Sequence, residues 1–265
     1  MSADATWDPD LYRRHADHRA RPFLDLVARV GATAPREVVD LGCGPGHLTG
    51  LLARRWPGAR IVASDASPEM VAAARENGVA ATLLDVRDWS PGPETDVVVC
   101  NAVLHWVPGW RALMASWAAA LPVGGWLAVQ VPGNASAPSH TTVRELLGEE
   151  PWRSRVAPTV AEEIDFDVAG PADHARELAA ACPSATLDAW ETTYVHALTG
   201  EDPVLEWISG SALRPVRTAL SDADWSRFRA VLAPRLRAAY PADASGTTWF
   251  PFRRVFVVMS AMAHR

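Results

Sequence analysis

The chain of 265 residues contains no lysine, so arginine supplies all 25 basic side chains other than histidine. It also lacks the Gly-Lys-Ser/Thr element that holds nucleotide phosphates, and phosphoryl transfer is therefore poorly supported. A formal net charge of −6 argues against a broad basic face, and so against nucleic acid or an anionic membrane as a partner. An anionic ligand would instead meet a local cluster of arginines, whose planar guanidinium groups bind carboxylates in a bidentate manner.

Cysteine and long apolar runs are also scarce. The three cysteines, Cys43, Cys100 and Cys182, include no Cys-x-x-Cys pair, which argues against a disulfide framework or a zinc cluster, and no metal is expected. No window approaches the roughly 18 to 20 apolar residues of a membrane span, and the N-terminus lacks the apolar core of a signal peptide. We therefore expect a cytoplasmic protein, monomeric or weakly dimeric, that binds neither a membrane nor nucleic acid.

Short β-branched runs alternate with helical patterns between residues 36 and 131. Strands are predicted at residues 37–41, 60–64, 81–85, 95–100 and 125–131. Strands that are rich in Val and Ile and alternate with helices pair in parallel with both faces covered, which predicts a doubly wound α/β fold. Ligands of such folds bind beyond the carboxyl ends of the strands.

The flanking segments are interpreted as additions to this core. Residues 1–35 predict a polar helical arm that breaks at Pro22, because proline removes a helix hydrogen bond. Residues 132–250 are interpreted as a helical cap on the substrate side, and residues 251–265 as the last strand. We therefore predict one domain over residues 1–265.

Two patterns stand out inside the cap. Residues 185–198 alternate like a strand, and residues 201–240 have helical spacing. The sequence "RPVR" at 214–217 predicts a break within that helical region, because its proline disfavours a helix interior.

A glycine-rich loop follows the first predicted strand, with Gly42, Gly44 and Gly46. A dinucleotide fingerprint would place its third glycine at position 47, where this chain has His47, so a nicotinamide oxidoreductase is disfavoured. Glycines allow a tight turn and close approach of the backbone to a ligand. The amides at the start of the following helix favour a carboxylate or another electron-rich group.

Polar side chains follow the next three strands. Asp65 could accept both ribose hydroxyls, and Asp85 suits the exocyclic amine of an adenine, whose ring Val86 and Met70 would contact. Asn101 and the adjacent backbone could bind an ammonium and a carboxylate. Together these residues describe a nucleoside that carries an amino acid, namely S-adenosylmethionine.

Structural roles remain open for some of these residues. Asp40 could cap loop amides, Asp85 could cap a turn, and His47 could pack at a helix start. Cys43 and Cys100 fit the role of small core residues.

Four successive motifs, "DLGCGPG", "SDASPEM", "LDVRDW" and "NAVLHWV", resemble those of the class I S-adenosylmethionine-dependent methyltransferases. A narrower resemblance extends over nearly the whole chain. It rests on "WDPDLYRRHADHRARPFLDLV", "LAVQVPGN", "WETTYVHAL", "SALRP" and "RRVFVV", which are similar to segments of the trans-aconitate 2-methyltransferase family.

The resemblance implies a Rossmann-like methyltransferase fold with a mostly parallel seven-stranded sheet, a helical cap and an N-terminal helical arm. It also implies S-adenosylmethionine as the methyl donor and S-adenosylhomocysteine as the product. The residues predicted to bind this cofactor are Tyr12, Asp40, Gly42, Gly44, Gly46, Asp65, Ala66, Met70, Asp85, Val86 and Asn101.

The substrate implied by the narrower resemblance is a small tricarboxylic acid. Such an acid needs several positive partners in an acidic protein, and arginines suit that task. The residues predicted to bind it are Arg19, Arg21, His105, Trp106, Asn134, Tyr194, Arg214 and Arg254. Because a carboxylate is already ionised at neutral pH, no general base is expected, and Arg21, Trp106 and Arg214 would only position the acid.

The chain departs from the family pattern at His105, Gly133 and Ala212, which leaves a related acid open as the substrate. If His105 were a general base, the acceptor would be a hydroxyl or an acidic carbon of a natural product. A cofactor-binding partner protein without catalytic activity is a further alternative.

Overall fold

A computed structural model describes residues 16–160 and 168–262 of the chain. The chain divides into two compact units. The first, called the sheet unit, comprises described residues 16–132, 169–192 and 254–262, and the second, called the helical unit, comprises 133–160, 168 and 193–253. One domain over the whole chain stays a prediction.

Seven strands form one sheet in the order β3-β2-β1-β4-β5-β7-β6. Their bounds are β1 Glu37–Leu41, β2 Arg60–Asp65, β3 Ala81–Leu83, β4 Thr95–Asn101, β5 Trp126–Pro132, β6 Thr186–Leu198 and β7 Thr248–Ser260. The pairs among β1 to β5 are parallel, and β7 is antiparallel to β5. This arrangement confirms the predicted fold class. Two of the boundaries between the units fall within strands, one in β6 after residue 192 and one in β7 after residue 253.

Helices connect and flank these strands. They are α1 (Ala16–Ala28), α2 (Thr49–Arg55), α3 (Pro68–Glu76), α4 (Trp110–Ala120), α5 (Pro138–Leu147), α6 (Trp152–Arg155), α7 (Pro171–Ala181), α8 (Pro203–Ser209), α9 (Arg214–Ala219) and α10 (Asp222–Ala239). Short 3-10 turns occupy Val86–Asp88 and Leu104–Trp106. No helix among the residues described has the length and apolar character needed to span a membrane.

The core of the sheet unit consists of strands that are buried on both faces. All five residues of β1 are buried, and Val97 to Cys100 of β4 are completely buried. Burial on both faces explains the consecutive apolar residues Val38–Val39 of β1 and Val97–Cys100 of β4, as in other parallel sheets. The sheet therefore holds the strand ends, and any side chain that follows them, in fixed positions.

The break predicted at Pro22 is wrong, because Pro22 lies inside α1. The helix buries Phe23, Leu26 and Val27 on one side, and Val30 follows on the same side. The packing of this apolar stripe offsets the hydrogen bond that proline cannot make.

The break predicted at residues 214–217 is also wrong, because α9 begins at Arg214. Pro215 occupies the first turn of the helix, where its missing N–H would have no partner in any case. The turn lies instead at residues 210–213, between α8 and α9.

Several strand bounds also differ from the prediction, those of β3 and β7 by more than one residue. β3 ends at Leu83 rather than at Asp85, because Asp85 caps the 3-10 turn that follows. β7 begins at Thr248, three residues before the predicted boundary at 251.

The helical unit has an aromatic core. The rings of Trp207, Phe250 and Phe252 lie 5.8 to 5.9 Å apart, and His196 stacks on Trp207 at 4.5 Å. Phe228 of α10 contacts Trp152 of α6 edge to face. These rings bury enough apolar surface to hold short helices that would be marginal alone.

Candidate active site

The carboxyl ends of neighbouring parallel strands meet at one edge of the sheet unit. Leu41, the last residue of β1, pairs with Ser64 of β2 and with Cys100 of β4. Asp65 and Asn101 are each the next residue along and end their strands. The sheet thus places the glycine loop after β1 between these two polar side chains.

Positive backbone dihedrals give the glycine loop its shape, with φ of 72° at Gly42, 55° at Gly44 and 82° at Gly46. A side chain at Gly42 would overlap Val103, and one at Gly46 would come within 2.9 Å of Val79. A Cβ at Gly44 would meet no atom of the described part of the chain within 4 Å. The outer two glycines therefore serve internal packing, whereas Gly44 borders open space that a ligand could occupy.

Asp65 is bonded to the glycine loop. One carboxylate oxygen accepts a hydrogen bond from the amide of Gly44, and the other accepts one from the amide of Ser67, both at 2.9 Å. These bonds orient the half-buried carboxylate at the end of β2. A carboxylate oriented in this way has further lone pairs with which to accept hydrogen bonds from hydroxyl groups.

Asp40 is buried in the middle of the site. Its carboxylate accepts a hydrogen bond of 2.6 Å from the hydroxyl of Thr49, the first residue of α2. Burial raises the pKa of Asp40 to about 6, although the Thr49 bond opposes this rise. This bond gives Asp40 a structural role in tying the start of α2 to the sheet, although its donor is a hydroxyl rather than a loop amide; a contact between Asp40 and the cofactor stays a prediction.

Asp85 caps the 3-10 turn after β3. Its carboxylate accepts hydrogen bonds from the amide of Arg87 and from two guanidinium nitrogens of the same residue, at 2.6 to 3.0 Å. The side-chain bond with Arg87 lowers the pKa of Asp85. Val86 and Met70, the predicted adenine contacts, are both buried. The capping alternative is thus realised, and a bond from Asp85 to adenine stays a prediction.

Asn101 has a buried oxygen at the end of β4. Its Oδ1 has no hydrogen-bond partner among the residues described, although such atoms are nearly always bonded in folded proteins. The next residue, Ala102, has φ of 58°, a left-handed conformation that is strained for any residue other than glycine. The amide of Ala102 donates to the carbonyl of Gln130 at 2.8 Å, which holds this strained turn in place.

The remaining predicted residues of the sheet unit differ in how far they are exposed to solvent. His105 is buried and its ring lies 4.7 Å from that of half-buried Trp106, while Ala66 is exposed. Arg21 lies on the exposed side of α1, 3.9 Å from Asp25. Arg254 is buried. Tyr12 and the side chain of Arg19 lie outside the described residues.

Three predicted substrate residues belong to the helical unit. The side chain of Asn134 exchanges two hydrogen bonds of 2.9 Å with the main chain of Arg253, which gives it a clear structural role. Tyr194 is buried within β6, and Arg214 is half-buried at the start of α9. The two units thus divide the predicted acid-binding residues between them.

The site fits a nucleoside cofactor better than a metal. Within the described ranges, no three His, Cys, Asp or Glu side chains are grouped as metal ligands. Among the residues described, the open side of Gly44 offers space, and the Asn101 oxygen, which has no partner there, offers an acceptor. These features suit a group that carries both hydroxyls and an ammonium.

Comparison with known proteins gives a consistent result. A family model described as a methyltransferase domain matches residues 12–167. Trans-aconitate 2-methyltransferase of Rhodococcus jostii strain RHA1 is 59% identical over 252 residues, which cover 95% of this chain and 98% of that protein. The enzyme of the same name from Mycobacterium tuberculosis strain ATCC 25177 / H37Ra is 55% identical over 252 residues, with 95% of each chain covered.

Solved structures resemble the chain in fold. The YcgJ protein of Bacillus subtilis has a TM-score of 0.56 at 14% identity, with 94% of this chain and 100% of that one covered. A Haemonchus contortus phosphoethanolamine N-methyltransferase 2, solved with S-adenosylhomocysteine, has a TM-score of 0.51 at 13% identity. That match covers 91% of this chain and 53% of the other.

Proposed function

The chain belongs to the trans-aconitate 2-methyltransferase family of methyltransferase-domain proteins, and from this membership we propose that it methylates a carboxylate of trans-aconitate. The products are a methyl ester and S-adenosylhomocysteine. The observation that carries the proposal is identity of 59% over 95% of the chain, because it extends well beyond the cofactor core at residues 36–131.

Three residues are proposed to hold the methyl donor. Gly44 lets the donor approach the backbone, Asp65 accepts hydrogen bonds from the ribose hydroxyls, and Asn101 accepts one from the ammonium group. The support lies in the open space at Gly44, the two amides that orient Asp65, and the buried oxygen of Asn101.

When bound, S-adenosylmethionine supplies an electrophilic methyl group, and a carboxylate oxygen displaces S-adenosylhomocysteine with the C–S electron pair going to sulfur. The protein has no proton to remove, because the acid is ionised at neutral pH. Its residues therefore act by alignment, which can lower a barrier by about 7 to 11 kcal/mol. His105 and Trp106, in the 3-10 turn after β4, are proposed to contact the acid.

A methyl-transfer assay with labelled S-adenosylmethionine against a panel of di- and tricarboxylic acids tests this function. We expect transfer to trans-aconitate and a base-labile product, as a methyl ester requires. A rate that follows a group near the pKa of free histidine, about 6.5, would instead point to a histidine base and a hydroxyl or carbon acceptor. Cofactor binding without transfer to any acid would favour a non-catalytic partner protein.

The substrate is a small molecule in this proposal. A cytoplasmic location and a monomer or weak homodimer stay predictions, to be tested by fractionation and by light scattering.

A further inference from the structure

Two residues that pair near the carboxyl ends of β4 and β5 each have a buried polar side-chain atom. Asn101 Oδ1 is an acceptor and Gln130 Nε2 is a donor, and neither has a hydrogen-bond partner among the residues described. Asn101 pairs with Gln130 in the parallel register, so both side chains point to the same face of the sheet. Because buried polar atoms are nearly always bonded, Asn101 Oδ1 indicates a ligand group that donates, which suits the ammonium of the cofactor, and Gln130 Nε2 indicates a ligand group that accepts.

The orientation of the Gln130 amide follows from its neighbour. Gln130 is completely buried, and its Oε1 accepts a hydrogen bond of 3.1 Å from Nη1 of Arg254. A guanidinium group can only donate, so the atom that faces it must be the oxygen, and Nε2 must face away from that bond. The antiparallel register opposes Pro132 to Arg254, which places Arg254 on the same face as Gln130.

The chemistry of this small cluster favours an anion. Gln130 Nε2 needs an acceptor, and the buried guanidinium of Arg254 contributes a positive charge next to it. A carboxylate satisfies both requirements, because it accepts hydrogen bonds and is stabilised by an arginine. Because the chain has a net charge of −6, an acid needs a local positive group of this kind to bind.

We propose that Gln130 and Arg254 form a subsite for one carboxylate of the acid substrate. The inference rests on the proposed function and adds Gln130, which the sequence analysis did not identify, to the residues that recognise the acid. The cofactor also carries a carboxylate, but that group is predicted to bind Asn101 and the adjacent backbone at the end of β4. β5 lies on the far side of β4 from the glycine loop, so the position of Gln130 suits the second reactant.

Gln130→Glu is the sharpest test. Glutamate has the same length, still presents an oxygen to Arg254 and replaces the donor with a negative charge. We expect the KM for trans-aconitate to rise about tenfold or more, since a hydrogen bond to a charged group is lost and a repulsion is added. The affinity for S-adenosylhomocysteine, measured by calorimetry, should change by less than about twofold. Gln130→Met, an uncharged variant of similar length, should raise the KM in the same direction by a smaller factor.

Thr95→Val is the matched control. Thr95 is also buried, on β4, and its hydroxyl bonds Glu37 at the amino end of the sheet, away from the proposed subsite. This variant should lower stability while leaving both the KM and the cofactor affinity unchanged.

Direct binding separates failure of the inference from failure of the proposed function. Calorimetry with trans-aconitate in the presence of S-adenosylhomocysteine does not depend on turnover. Weaker binding by Gln130→Glu than by the wild type supports the subsite, even if no methyl transfer is found. Equal binding by the two proteins, no binding by the wild type, or a loss confined to cofactor affinity overturns the inference.

Discussion

The sheet unit and the helical unit use their polar side chains differently. In the sheet unit, Asp65 is oriented by two amides, and Asn101 has a buried oxygen without a partner among the residues described. In the helical unit, charged side chains often join one helix to another, as Arg155 of α6 does with Asp224 of α10. We expect the first arrangement to serve a ligand, whereas the second joins helices of the unit.

The contrast extends to buried ionisable groups. Burial raises the pKa of Asp40 in the sheet unit to about 6 and lowers the pKa of His140 in the helical unit to about 4. Both shifts favour the neutral form, but they make stability depend on pH in opposite directions. Substitutions in each unit, and the pH dependence of the free energy of unfolding, can therefore test this difference between the two units.

The largest expected effect is that of Gly42→Ala, because the added methyl group would overlap Val103 and the residue needs φ of 72°. We expect the free energy of unfolding in urea to fall by about 3 kcal/mol or more. Gly44→Ala is the matched variant, since Gly44 also has positive φ but borders open space. It should cost only about 1 to 2 kcal/mol and should weaken S-adenosylhomocysteine binding. Equal losses of stability in the two variants would contradict the assigned difference.

The next effect concerns Asp40. Its folded pKa of about 6 exceeds the ordinary value of 3.8, so its contribution to stability is complete below pH 4 and is lost as the pH rises through 6. The contribution of Asp40 to the free energy of unfolding changes by about 3 kcal/mol over this range. Asp40→Asn should remove this part of the pH dependence, measured as the difference from wild type in denaturant unfolding at pH 4, 5, 6 and 7. A constant difference across this range would contradict the assignment.

His140 should make the free energy of unfolding depend on pH in the opposite direction and by a similar amount. Its folded pKa of about 4 lies below the ordinary 6.5, so its contribution is complete above pH 6.5 and is lost as the pH falls to 4. His140→Asn keeps a polar atom for the hydroxyl of Ser139, which lies 3.0 Å from Nδ1 of His140. In this variant the free energy of unfolding, measured in denaturant, should fall less between pH 6.5 and pH 4 than in the wild type. An equal fall in the two proteins would show that His140 is accessible to protons in the folded state.

A smaller effect is expected for Arg214→Ala, which tests the predicted role of Arg214 in acid binding. The KM for the acid should rise about tenfold, as the loss of one charged hydrogen bond predicts, with cofactor affinity nearly unchanged. Arg217→Ala on the same helix is the control, because Arg217 is exposed and bonded to Asp222. Equal losses of acid and cofactor affinity in Arg214→Ala would refute the role.

The smallest effect is that of Tyr240→Phe in the helical unit. The tyrosine hydroxyl accepts a hydrogen bond of 3.0 Å from the amide of Ser139 in the first turn of α5. Its removal should cost about 1 kcal/mol of unfolding free energy and leave cofactor affinity as in the wild type. A change in cofactor affinity would mean that this bond does more than stabilise α5.

Sequence patterns predicted the sheet unit more closely than the helical unit, for physical reasons. β1 matches its predicted bounds because its buried Val38, Val39 and Leu41 form a short apolar segment that ends directly before the glycine loop. The start of α3 also follows from a local signal, since the side chain of Ser67 caps the helix by accepting a hydrogen bond from the amide of Met70. Such local signals need no knowledge of distant contacts.

The failures come from tertiary context. Proline at position 22 predicts a break that the packing of α1 overrides. The break predicted from Pro215 fails because this proline lies in the first turn of α9, where a proline is compatible with the helix. A binding role for Gln130 was not predicted from the sequence, because that role depends on Asn101 of β4 and Arg254 of β7. These two strands pair with β5 from either side. The available signal was one amide within the apolar run "LAVQV", a residue type that is costly to bury without partners.

The central claim is that the strand ends of the sheet unit bind a sulfonium nucleoside through Asp65 and the glycine loop. Calorimetric titration with S-adenosylhomocysteine tests it most directly. The wild type and Tyr240→Phe should bind one equivalent with equal affinity, and Asp65→Ala should bind at least tenfold more weakly, because the partner of the ribose hydroxyls is lost. Absence of binding by the wild type, or equal binding by Asp65→Ala, would contradict the claim.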